Sequence, residues 1–128
     1  MEPISEELDR IGTIIVDVAY HLHVRLGPGL LESVYEACMA HDLRKRGLKV
    51  ERQVTMSLRY DELTFDEGFR VDLLVEGSVI IELKAAVEDH PVYKAQVLTY
   101  LRLSDRRLGY LINFNKKFIK DGIERVAL

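Results

Sequence analysis

Asp72, Glu82 and Lys84 fall inside one stretch that is otherwise made for burial, FRVDLLVEGSVIIELKAA, from Phe69 to Ala86. A charge in a buried strand is costly unless it is paired or binds a metal. Three of them in so short a run point to a site. Two converging carboxylates would supply hard oxygen ligands, which suit Mg²⁺ or Mn²⁺ better than zinc, and no His or Cys clusters nearby. A lysine on the same face could orient or polarise a water, or stabilise charge developing on a phosphate. From spacing alone an internal Asp/Glu/Lys ion pair in a half-exposed sheet fits as well, because D…ExK is a short pattern.

The element that must position these groups is a hairpin. Two runs rich in β-branched residues, Leu and Phe flank Glu76-Gly77, a turn signal. Residues two apart in a strand share a face, so Glu82 and Lys84 point one way and Ile81 and Leu83 the other. Asp72 shares its face with Arg70 and Leu74 on the same rule. A plain two-residue turn would set Asp72 opposite Ile81 and put the two carboxylates on opposite faces. A three-residue loop or a bulge restores the pairing of Asp72 with Glu82, and Gly77 can take the left-handed conformation this needs. The spacing therefore predicts an odd loop or a bulge near Gly77.

The chain has 128 residues, 48% hydrophobic and 30% charged, enough for a single domain spanning 1–128 with one core. No apolar run approaches the ~20 residues of a membrane span. The start, MEPISEELDR, has no basic segment leading into an apolar one and is not read as a secretory signal. The one cysteine, Cys38, excludes an internal disulfide and a Cys-rich zinc site, and its apolar neighbours assign it to packing. The expectation is a cytoplasmic protein. A net charge of −3 argues against tight, unaided nucleic-acid binding.

Ile4, Leu8, Ile11, Ile15, Val18 and Leu22 form a helical stripe over residues 4–26, stopped by Leu26-Gly27-Pro28-Gly29. A second helix is predicted from Leu30 to Arg46, its apolar side carrying Leu31, Val34, Ala37 and Cys38. Its other side carries Glu32, Tyr35, Glu36 and Met39, and Gly47 would cap it. Residues 48–60 read as a strand, residues 61–68 as a turn and lead-in to the hairpin. Pro91 marks a third helix, to Ser104, with Asp89 or His90 as cap. Leu108–Phe114 is a further strand. Residues 116–128 read either as short strands turning at Asp121-Gly122 or as a loop and frayed end. The order suggests a mixed α/β sheet with helices packed on it.

Glu32 could bring a third carboxylate to the site, although alone it reads as a solvated helix residue. Gln96 and Tyr100, four apart on one helix face, could be a surface pair or could face the same cleft. His21 and His23 do not share a face and make no metal pair. The basic groups Arg44-Lys45-Arg46 with Lys49, Arg102 with Arg106-Arg107, and Lys116-Lys117 with Lys120 would form a phosphate track only if they converged on the cleft.

With these residues in place the chain resembles a known group. Gly29-Leu30-Leu31-Glu32-Ser33-Val34-Tyr35 matches the signature of the GxxExxY protein family, which belongs to the PD-(D/E)xK nuclease superfamily. Asp72, Glu82-Leu83-Lys84 and Gln96-Val97-Leu98-Thr99-Tyr100 fall in the order of the RecB-like motifs D, ExK and QxxxY. The resemblance implies a restriction-endonuclease-like core of helix, three-stranded meander, helix and strand, preceded here by an extra N-terminal helix. It implies that Asp72 and Glu82 bind Mg²⁺ or Mn²⁺, helped by the carbonyl of Leu83, with Glu32 as a further ligand or water holder at the edge. Lys84 would position the attacking water, and Gln96 and Tyr100 would line the cleft. Val71 stands where the superfamily's pattern has proline.

The function expected is therefore that of a metal-dependent nuclease, acting on DNA rather than RNA. The acidic charge keeps open a second reading, a non-catalytic nuclease-fold subunit used for binding or assembly. The long stripe on the first helix raises the further expectation of a homodimer or larger complex.

Overall fold

The computed structural model describes residues 2–128. Its elements are α1 (Glu6–Leu26), α2 (Glu32–Lys45), β1 (Val50–Tyr60), β2 (Leu63–Val75), β3 (Val79–Lys84), α3 (Pro91–Leu103), β4 (Leu108–Asn113) and β5 (Ile123–Ala127), with one 3₁₀ turn at Ile119–Asp121. The five strands lie in sequence order in one sheet. β1, β2 and β3 form an antiparallel meander, β4 runs parallel to β3 after the α3 crossover, and β5 returns antiparallel to β4. A parallel neighbour needs such a crossover, because no tight turn can join parallel strands.

Helices cover both faces of the sheet. On one side α1 and α2 bury Ile11, Ile15, Val18, Leu22, Tyr35 and Met39 against residues such as Leu73, Ile81, Leu83 and Ile112. On the other, Val97 and Leu101 of α3 pack on Val71, Leu74, Ile80 and Leu111. The central strands β3 and β4 thus have two buried faces, which is why they read as continuous apolar runs. α3 approaches β4 closely at Gly109, where a Cβ would stand 3.0 Å from Val97 Cγ1 and 3.2 Å from the Ile80 carbonyl oxygen.

The α1 stripe is as the sequence indicates, and the Ser5 hydroxyl accepts from the Leu8 N–H at 3.2 Å to cap it. That stripe packs on the chain's own sheet. His90 caps α3, its Nδ1 accepting from the Val92 N–H at 3.1 Å.

Two expectations need correction, and a third, left open between short strands and a frayed end, is decided in favour of a strand. The buried side of α2 carries Tyr35, Glu36, Met39, Ala40 and Leu43, whereas Leu31 is 74% and Val34 37% exposed. The larger side chains at the i, i+4, i+8 positions fill the core, and the hydroxyl of Tyr35 and the carboxylate of Glu36 both find partners there. Residues 63–68 are strand, not lead-in, since β2 already pairs with β1 from Leu63 onward across an irregularity at Met56/Leu58. Gly68 lies there against the Cβ of Leu58, so close that no side chain fits. The C-terminal residues are ordered as an edge strand, with Leu108 opposite Ala127 and Ile112 opposite Ile123.

Among the described residues no helix is long and apolar enough to cross a membrane.

Candidate active site at the β2–β3 hairpin

Leu73 pairs with Ile81, Leu74 with Ile80 and Val75 with Val79, which leaves Glu76, Gly77 and Ser78 as a three-residue loop. Gly77 has φ +62° as required, and Glu76 joins it in the left-handed region at φ +53°. The odd loop carries the register on to Asp72 and Glu82. The Asp72 N–H donates to Glu82 Oε1 at 3.3 Å, and the Leu83 N–H donates to Asp72 Oδ2 at 2.9 Å. The turn expectation from the sequence thus holds, with its consequence that the two carboxylates meet.

Simple alternation nevertheless fails on β1 and β2 next to the site. Val50 packs with the α1–α2 side and Val54 and Met56 with the α3 side, although even spacing would put them together. Gln53 lies between them with φ +51°. On β2, Val71 and Leu74 share the α3 side while Leu73 and Val75 take the other. Asp72 stands at this change of phase, so it does not simply follow Arg70 and Leu74.

Glu82 is only 4% exposed. Burial, then the negative charge of Asp72, then the hydrogen bond between the two carboxyls, push its pKa up to about 9. Lys84 is half-buried with its Nζ 4.7 Å from the centroid of the Tyr93 ring on α3, and its charge acts on both Glu82 and Glu32. Glu32 opens α2. Its carboxyl is raised by partial burial first and by Asp72 second, while Lys84 and the Ala85 backbone N–H pull the other way.

Gln96 stands beside Tyr100, whose hydroxyl is raised by burial and then by the charges of Glu82 and Asp72. Tyr100 also stacks on Phe69, ring centroids 4.7 Å apart. Glu32, Asp72, Glu82, Lys84, Gln96 and Tyr100 therefore lie in one neighbourhood. Leu83 points its own side chain into the core and offers backbone atoms only. Among the described residues, however, no three Asp, Glu, His or Cys side chains stand close enough to form a closed metal cluster. The converging pair is Asp72 with Glu82, and Glu32 stands at its margin.

The signature around Glu32 has a structural reason. Gly29 takes φ +97°. The Tyr35 hydroxyl donates to the Gly27 carbonyl at 2.6 Å and accepts from the Leu30 N–H at 3.1 Å, and its ring stacks on Phe114 with centroids 4.5 Å apart. Tyr35 thereby ties the loop that delivers Glu32.

Several residues were not legible as part of the site. Gln53 Nε2 donates to Asp72 Oδ1 at 3.2 Å and also to Glu36 Oε1. Asn113, 3% exposed at the end of β4, holds the segment that follows Lys84. Its Oδ1 accepts from Ala86 N and Asn115 N, and its Nδ2 donates to the Ala86 carbonyl and to Asp89. An amide inside the apolar run GYLINF was the signal that could have found it. Beside Lys84 a cleft of about 590 Å³ opens, lined by His90, Tyr93, Lys94, Leu111, Asn113 and Ile123 among others.

Several basic side chains already have partners. Arg46 pairs with Asp17, Lys116 with Asp89 and Lys94 with Glu124, while Arg44, Arg106 and Arg107 donate to backbone carbonyls.

A three-stranded meander, a crossover helix and a parallel fourth strand, with an acid pair and a lysine on the central hairpin, define a restriction-endonuclease-like nuclease frame. The sequence profile of the PD-(D/E)XK nuclease superfamily matches residues 9–126, and the chain belongs to that superfamily. No curated protein and no solved structure matches it.

Proposed function

We propose that the protein is a divalent-metal-dependent phosphodiesterase that hydrolyses DNA. The observation that supports this best is the meeting of Asp72 and Glu82 across the hairpin with Lys84 beside them. The donor set suits a hard cation. Two acidic side chains from adjacent strands are held together by backbone N–H groups, and burial beside Asp72 pushes the pKa of Glu82 up to about 9 even with Lys84 close by.

Asp72, Glu82 and the carbonyl of Leu83 would hold Mg²⁺ or Mn²⁺, with Glu32 as a further ligand or water holder. The ion, when bound, would neutralise charge developing on the phosphate. Lys84 would orient the water whose oxygen bonds to phosphorus as the phosphorus–oxygen ester bond breaks, the leaving alcohol taking up a proton. Gln96 and Tyr100 would line the path of the nucleic acid.

Incubation with single- and double-stranded DNA in Mg²⁺ and in Mn²⁺ tests the proposal. Cleavage by the wild type that is lost in Lys84→Ala is expected, and equal cleavage by both would count against catalysis. The second reading, a nuclease-like subunit that binds without cutting, draws support from the net charge of −3. Calorimetric titration with Mn²⁺ separates the two: no uptake, or uptake indifferent to Asp72→Asn, favours the subunit.

A further inference from the structure

We infer that Gln53 is a positioning residue for Asp72, clamped in place by the buried carboxylate of Glu36. The inference rests on the proposed role of Asp72 as a metal ligand. Gln53 is a surface residue in the edge strand β1, yet its backbone is left-handed at φ +51°. Such a conformation is unfavourable for a residue with a side chain and persists only where the surroundings impose it. Core packing of an exposed side chain cannot impose it here; the hydrogen bonds of the amide can.

Gln53 Nε2 donates to Asp72 Oδ1 at 3.2 Å and to Glu36 Oε1. An amide nitrogen has two hydrogens, so both are committed and the amide oxygen is turned away from the two acids. Glu36 is 7% exposed and pairs with Arg52 through Oε2, at 3.0 Å to Nη2 and 3.1 Å to Nε. Arg52 thus supplies the countercharge to Glu36, while Gln53 offers Asp72 a neutral donor. Asp72 is oriented by two uncharged donors, the Gln53 amide on one oxygen and the Leu83 N–H on the other at 2.9 Å.

Gln53→Gly separates this role from a merely structural one, because glycine adopts the left-handed backbone freely. In the full chain its thermal midpoint should equal or exceed that of the wild type, whereas its Mn²⁺ dissociation constant, by calorimetry well below the midpoint, should rise about tenfold to a hundredfold. Gln53→Met keeps the length of the side chain without its donors and should weaken Mn²⁺ binding likewise. If either variant, folded by circular dichroism, binds Mn²⁺ as the wild type does, Gln53 does not position the ligand. Failure of the wild type itself to bind Mn²⁺ would overturn the metal-site reading, and this inference with it, and is distinguishable because the wild type alone reveals it.

Discussion

Glu82 illustrates how a single side chain links folding to function. In the unfolded chain its carboxyl titrates near the ordinary 4.5, and in the fold near 9. Between those values the folded state holds a proton that the unfolded state has released. The contribution of Glu82 is therefore fully present below pH 4.5 and fades as pH rises through about 9. Its share of the metal-free protein's stability should fall by about 1.4 kcal/mol per pH unit within that window. Urea denaturation in the presence of a chelator checks this, and Glu82→Gln, which needs no proton, should flatten the slope while abolishing cleavage. A slope unchanged by the substitution would assign the pH dependence to other groups. Lys84 has a different signature. Lys84→Met should lower the cleavage rate by about a hundredfold or more while Mn²⁺ binding survives. Equal losses of binding and cleavage would make the lysine a structural counter-ion.

At the scale of elements, the start of α2 depends on one hydroxyl. Tyr35→Phe keeps the stack on Phe114 but orphans the Gly27 carbonyl and the Leu30 N–H. The expected cost is about 1–3 kcal/mol, read by chemical denaturation, with a fall in cleavage because Glu32 is no longer held at the site margin. A variant as stable and as active as the wild type would show that the loop does not need the tether. The contact of α3 with β4 makes a separate prediction. Gly109→Ala sets a methyl group against Val97 and the Ile80 carbonyl, and overpacking of this kind costs about 1–3 kcal/mol. Val97→Ala, which vacates that space, should recover part of the loss in the double variant. Strict additivity of the two would deny the contact.

For the whole molecule, charge sets the terms of substrate binding. The net charge is −3, and Arg46, Lys116 and Lys94 are paired with Asp17, Asp89 and Glu124. DNA binding should therefore involve few phosphates. In fluorescence anisotropy with Ca²⁺ in place of Mg²⁺, a plot of log affinity against log salt should be shallow, with a slope no steeper than about −3. A slope much steeper would require a basic surface formed by residues outside these pairs, or by a second chain.

The apolar runs and the turn signals placed the three strands of the meander, and the charges inside the hairpin pointed to an odd loop at Gly77 that would bring Asp72 to Glu82. These are local matters, settled by pleat and turn geometry over a few residues. Three-dimensional packing decided the rest. Which face of α2 is buried depended on Phe114, far along the chain, offering its ring to Tyr35. The last residues became a strand because β4 had an edge to pair. Gln53 and Glu36 entered the neighbourhood of Asp72 through a break in alternation that no period-two pattern contains, since a left-handed residue in a strand is stabilised by partners distant in sequence.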